Sequence, residues 1–95
     1  ASDVYKRQMF QYLDDTFVSK GIPVIIDETG CVNKNENTSA RVAWFSYYLS
    51  TAKKHGIKCF IWDNNETKNG FGLLNRKDCT WYYPEIIEAI QNATK

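Results

Sequence analysis

Apolar positions along this chain switch between helical and strand spacing. Phe10, Leu13 and Phe17 recur at helical intervals with Val18 beside them, and Gly21 is placed to end the helix they predict. Ile22-Pro23-Val24-Ile25-Ile26 follows, a β-branched run whose proline sits at the start, where a missing N–H matters least. Both faces of this run are apolar, which predicts a parallel strand buried on both sides. After a polar loop at residues 33–37, a second helix is expected. Thr38 or Ser39 would cap it, and Val42, Phe45, Leu49 and Ala52 form its buried stripe. Lys53, Lys54 and His55 suit the negative end of that helix, and Gly56 stops it. Helix-end placement accounts for His55 without catalysis. A second strand is predicted over residues 57–63, then an Asn- and Gly-rich loop over residues 64–80. The last helix opens at Pro84 and buries Ile86, Ile87 and Ile90.

The predicted order is αβαβα, an α/β chain with one βαβ unit. Two strands cannot make a parallel sheet covered on both faces, because each needs a neighbour on its other edge. Aromatic residues are 15% of the 95 residues, a large ring area for a small core to hide. Both features predict a piece of a larger domain. The start is unusual as well. Asp3-Val4-Tyr5-Lys6-Arg7-Gln8 resembles the translation of a transposon-end adaptor used in preparing sequencing libraries. Residues 1–8 are therefore read as a foreign leader and residues 9–95 as the native part.

Charge narrows the partners only by exclusion. Twelve basic and eleven acidic residues are interspersed, without the basic stripe of a nucleic-acid or anionic-membrane binder. No apolar run approaches the roughly 18–20 residues of a membrane span. Cys31, Cys59 and Cys79 form no C-x-x-C pair and lack a neighbouring histidine for zinc. They read as small buried hydrophobes, with a Cys59–Cys79 or Cys31–Cys59 bridge left open.

Two positions carry candidate chemistry. Strand parity places Val24, Ile26 and Glu28 on one face, and Ile25 and Asp27 on the other, toward surrounding helices. Glu28 then ends a buried strand just before Thr29-Gly30, which in a (β/α)8 barrel is the catalytic face. The second strand delivers Trp62, Asp63 and Asn64 to the same level. An indole suits the C–H face of a sugar ring, and asparagines suit its hydroxyls. A lone acid at a strand end is usually a solvated loop residue, and a lone tryptophan is usually core. Their conjunction on adjacent strands is what points to a carbohydrate site.

Four collinear segments carry a family resemblance. Gly21-Ile22-Pro23-Val24-Ile25-Ile26-Asp27-Glu28-Thr29-Gly30 resembles the seventh-strand motif of glycoside hydrolase family 5 endo-β-1,4-glucanases, and Ala40-Arg41-Val42-Ala43-Trp44 the start of the next helix. Cys59-Phe60-Ile61-Trp62-Asp63-Asn64 is similar to the eighth strand. Phe71-Gly72-Leu73-Leu74-Asn75-Arg76 and Cys79-Thr80-Trp81-Tyr82-Tyr83-Pro84-Glu85-Ile86 are similar to the closing loop and last helix.

The resemblance implies about the last two βα units of a (β/α)8 TIM barrel. It makes Glu28 the nucleophile of a retaining cellulase, with Trp62, Asn64 and Asn75 binding a β-1,4-glucan. The acid/base glutamate would end a fourth strand that this chain lacks. No metal or organic cofactor is implied, and a secreted, extracellular enzyme is. Asp27 stands where the family usually has glycine, and Thr29 where it usually has an aromatic. The second change is expected to remove an aromatic wall of the substrate site. A mannanase, xylanase or xyloglucanase on the same barrel is the nearest alternative. A non-catalytic carbohydrate-binding module, with Trp62 and Trp81 exposed on one surface, is another.

Overall fold

Helices and strands alternate as the apolar spacing requires, in a computed structural model that describes residues 2–95. The order is α1 (Ser2–Thr16), a 3-10 turn (Val18–Lys20), β1 (Ile25–Thr29), α2 (Thr38–Lys54), β2 (Lys58–Ile61), β3 (Leu74–Asn75), β4 (Thr80–Trp81) and α3 (Pro84–Ala93). β1 and β2 pair in parallel, and β3 and β4 form a separate antiparallel hairpin within the segment expected to be a loop.

The helices gather on one side of the β1–β2 pair. Phe45 and Leu49 of α2 join Leu73 and Ile86 in one buried cluster, while Ala52 joins Phe10 and Ile57 in another. Cys59 and Tyr48 pack against both clusters and connect them. Phe10, fully buried, meets the Tyr48 ring edge-on at 5.0 Å. Near it, the His55 Nδ1 and an Asp14 carboxylate oxygen lie 2.7 Å apart, tying the end of α2 to α1.

Several expectations shift in detail. β1 starts three residues later than the run that predicted it, and its faces are unequal. Val24 and Ile26 pack on the helical layer, but Ile25 is 60% exposed and Ile22 is also exposed. Burial on both sides is therefore not observed, because no second layer covers that face among the described residues. α2 begins after Asn37 rather than after Thr38 or Ser39. The Asn37 side chain bonds Lys34 N–H and Val32 C=O of the preceding turn instead of capping the helix. Of the three cysteines, Cys31 and Cys59 are half-buried and Cys79 is exposed, so Cys79 is no core residue. All three are free thiols, and neither bridge left open by the sequence is formed.

The segment read as a leader continues α1 and touches α2. The Lys6 ammonium lies 5.6 Å from the ring centroids of both Trp44 and Tyr47, and Tyr47 donates a hydrogen bond to Asp3 C=O. Ala1, the first residue of that leader, lies outside the described residues.

The small core makes α2 the critical element, since it contributes to both clusters. Phe45→Ala is expected to lower the unfolding free energy by about 3–5 kcal/mol through lost contacts and a residual cavity. Urea denaturation followed by circular dichroism measures this. A loss below about 1 kcal/mol would mean that Phe45 is not a core residue.

Candidate active site

β1 and β2 end side by side, and a slip in their register decides which residues face outward there. Ile26 pairs with Cys59, whereas Thr29 pairs with Ile61. Two residues, Asp27 and Glu28, thus stand against one, Phe60, which is the signature of a β-bulge. Cys59 and Ile61 pack into the helical clusters, while Phe60 between them is 58% exposed on the bare face. Strict alternation would have sent Glu28 to the same side as Val24 and Ile26, into the helices. The bulge breaks that alternation, and Glu28 is exposed at the end of the strand.

Two further expectations are corrected, the first because the helices cover the Val24–Ile26 face rather than the Ile25 face. Asp27 does not meet the surrounding helices; it is exposed beside Glu28. Thr29 is 1% exposed and lies against the Cys59 thiol on the helical side. Burial pushes the Cys59 thiol up, and the adjacent Thr29 hydroxyl draws it partly back. Thr29 therefore removes no wall from an outward-facing site, because its side chain does not face outward.

Trp62 follows β2 directly, and its N–H donates to Thr29 C=O at 2.8 Å, extending the pairing by one step. Its side chain is 42% exposed. Gly30 beside it lacks a Cβ for a physical reason: one would lie 2.9 Å from the Phe71 ring. The two strands thus end at one level, with Glu28 next to the last residue of β1 and Trp62 just past the last residue of β2.

Asn64 and Asn75 have local duties. Asn64 Oδ1 accepts the N–H groups of Glu66 and Phe71, at 3.2 and 3.0 Å. Asn75 Oδ1 accepts Lys77 N–H, and its amide nitrogen reaches Asp78 Oδ2 at 3.4 Å. Asp63 and Asp78 make the same kind of turn, accepting the N–H two residues on, at 2.8 and 3.1 Å. Residues 63–80 are consequently a chain of Asx turns. Asn65 and Asn69 adopt positive φ there, which asparagine tolerates better than most residues.

Asp63 is the residue the sequence reading left without a role. Its Oδ2 accepts Leu73 and Leu74 N–H, both at 3.0 Å, and its Oδ1 accepts Asn65 N–H. Arg76 bonds Asp63 C=O at 3.1 Å and lies 3.6 Å from the carboxylate. Burial alone would raise this carboxyl. The Leu73, Asn65 and Leu74 amides, with the Arg76 charge, outweigh burial and hold it below the ordinary value. The loop then closes tightly on itself: a Cβ at Gly70 would stand 2.2 Å from Glu66 C=O.

Beneath both loops lies a buried polar cluster that the sequence reading also missed. Arg41 is fully buried in the first turn of α2. Its Nε donates to Cys31 C=O at 3.0 Å, and its guanidinium lies 4.9 Å from the Tyr83 ring centroid. Asn33, 4% exposed, donates from Nδ2 to Thr67 C=O and to the Tyr83 hydroxyl. The Asx pattern could have flagged Asp63. Nothing in the spacing marked Asn33, whose partners are 34 and 50 residues away.

Comparison with known proteins gives consistent matches. The family model described as Cellulase (glycosyl hydrolase family 5) matches residues 2–68. Endoglucanase 1 of Ruminococcus albus is 47% identical over 87 residues, spanning 88% of this chain and 21% of that protein. A family 5 lichenase from Caldicellulosiruptor sp. F32 superposes with a TM-score of 0.93 at 42% identity, over 99% of this chain and 26% of its own. A mutant of that lichenase is known in complex with cellotetraose. A family 5 xyloglucanase from Paenibacillus pabuli superposes at 0.92 with 32% identity, over 98% of this chain and 27% of its own. The chain thus spans about a fifth to a quarter of the length of these relatives.

The lowered Asp63 carboxyl has a definite pH consequence. Its stabilising effect is complete above the ordinary value of 3.8 and is lost as pH falls through the lower folded value. Asp63→Asn should cost about 1–3 kcal/mol at neutral pH, since an amide cannot serve all three N–H donors. It should also flatten the stability profile below pH 3.8. Denaturation of both forms between pH 2 and pH 7 checks this, and parallel profiles would remove Asp63 as the loop's organiser.

Proposed function

Since the chain belongs to glycoside hydrolase family 5, the cellulase family, we propose that it is the nucleophile-bearing part of a retaining endo-β-1,4-glucanase barrel. The observation that carries the reading is the bulge that leaves Glu28 exposed where the parallel pair ends, at the level at which half-exposed Trp62 leaves β2. Bulges are over-represented next to active sites because they re-aim a side chain.

In the proposed reaction the Glu28 carboxylate attacks the anomeric carbon of a β-1,4-glucan. The bond to the leaving oxygen breaks as a second carboxylic acid, about 5–5.5 Å away, protonates that oxygen. Water then cleaves the glycosyl ester, with the second group acting as base. Trp62 offers its indole face to the sugar next to the scissile bond. Asn64, whose Oδ1 is committed to its own loop, has Nδ2 to offer a hydroxyl. Asn75, with both polar atoms engaged in its turn, supports that loop rather than the sugar. The second carboxyl belongs to a strand outside this chain, and the enzyme acts outside the cell on polymeric glucan.

A xyloglucanase is the second reading, supported by the 0.92 superposition on such an enzyme. Rates on lichenan, carboxymethylcellulose and xyloglucan separate the two.

In a complete barrel carrying this chain, Glu28→Gln should lower kcat by roughly 10⁴-fold with little change in cellotetraose affinity, because the amide keeps the shape and loses the nucleophile. Near-normal turnover by that variant would end the assignment. The 95-residue chain by itself should hydrolyse no β-glucan, having half of the carboxyl pair. Reducing-sugar release by the purified chain, absent from its Glu28→Gln form, would show the opposite.

A further inference from the structure

We propose that Asn33 is a positioning residue, which locks the loop after Glu28 to the loop after Trp62 and so sets the nucleophile against the sugar-stacking surface. The proposal rests on the roles given above to Glu28 and Trp62.

Asn33 lies in a polar loop and yet is almost completely buried. Its backbone N–H donates to Gly70 C=O at 2.8 Å. Its Nδ2 donates to Thr67 C=O at 2.7 Å and to the Tyr83 hydroxyl at 3.0 Å. One residue of the first loop is therefore held at two points by the second loop and at a third by the residue before α3. Arg41 closes the arrangement from below, with Nε on Cys31 C=O and its guanidinium over the Tyr83 ring.

The cluster is tied at a cost. Asn33 Oδ1 and both terminal nitrogens of Arg41 are buried with no hydrogen-bond partner among the described residues. Each buried unsatisfied group costs about 1–3 kcal/mol. A cluster serving only stability would be better built from apolar groups. What this polar one provides is direction, because two of the three Asn33 hydrogen bonds fix the second loop in register with the bulge and the third ties both to the start of α3. Reaction geometry is sensitive to that register, since a shift of about 1 Å can lower a rate about 10²-fold.

The test uses a complete barrel carrying this chain, with cellotetraose as substrate and rates normalised to folded protein by circular dichroism. Asn33→Ala removes both side-chain bonds. Tyr83→Phe removes only the hydroxyl acceptor and leaves the ring over Arg41, so it remains informative if Asn33→Ala does not fold. The expected result is a fall in kcat of about tenfold or more for Asn33→Ala, larger than any rise in KM. Tyr83→Phe should shift kcat in the same direction by less. If both folded variants keep kcat within twofold while losing thermal stability, Asn33 is structural glue and the proposal fails. Glu28→Gln in the same assay separates the two failures. Retained turnover in that variant sinks the nucleophile assignment, whereas a dead Glu28→Gln beside unaffected Asn33 and Tyr83 variants sinks the lock alone.

Discussion

The candidate site depends on one backbone hydrogen bond, from Trp62 N–H to Thr29 C=O. It continues the β1–β2 pairing past the point where the register has slipped, so the extra residue stays trapped as a bulge. Without that continuation the two strands would part after Ile26 and Cys59. Glu28 and Trp62 would then belong to independent loops. With it, both are referred to the same rigid ladder, and their relative position is set by backbone geometry before any side chain contributes.

The loops beyond the ladder are held by a different device. Asp63, Asn64, Asn75 and Asp78 each fold the chain back on the amide two residues ahead. Asp63 also reaches across the loop to Leu73 and Leu74, delivering Leu73 to the core beside Phe45 and Ile86. The same side chain therefore connects the site's rim with the packing beneath it. Carboxylate hydrogen bonds to backbone N–H are stronger than neutral ones, which suits a group at the junction of rim and core. The asparagine-rich composition that suggested sugar recognition has this more local explanation for Asn75 and for the carbonyl of Asn64.

Much of this was legible in the sequence. The helical spacing of Phe45, Leu49 and Ala52, the stop at Gly56 and the start at Pro84 all mark real boundaries, because local periodicity and cap chemistry are short-range properties. The side-by-side ends of β1 and β2 were also legible, though the argument from strand parity fails at Glu28. Parity assumes an unbroken strand; it holds through Asp27, and the bulge breaks it at Glu28. The hairpin of β3 and β4 escaped notice because two-residue strands have no periodicity to read. Arg41 and Asn33 escaped for a third reason: their burial depends on partners brought close by the fold alone.

The two faces of the sheet pose the remaining physical question. On one face, Ile26, Cys59 and Ile61 are sealed by three helices; on the other, Ile25 and Phe60 are exposed. Apolar area of that kind in a sheet centre is unfavourable in water at about 25 cal/mol per Å². The outer edges of β1 and β2 have no strand partner among the described residues, so pairing can continue at those edges, and in a closed barrel the added strands would curve round to face Ile25 and Phe60. Glu28 stands at the rim of the exposed face. In the role proposed for Glu28, an enclosed, water-poor surrounding would require further strands to cover Ile25 and Phe60, and the proposed second carboxyl would come from such strands. On that proposal, completion of the core and completion of the chemistry are the same event.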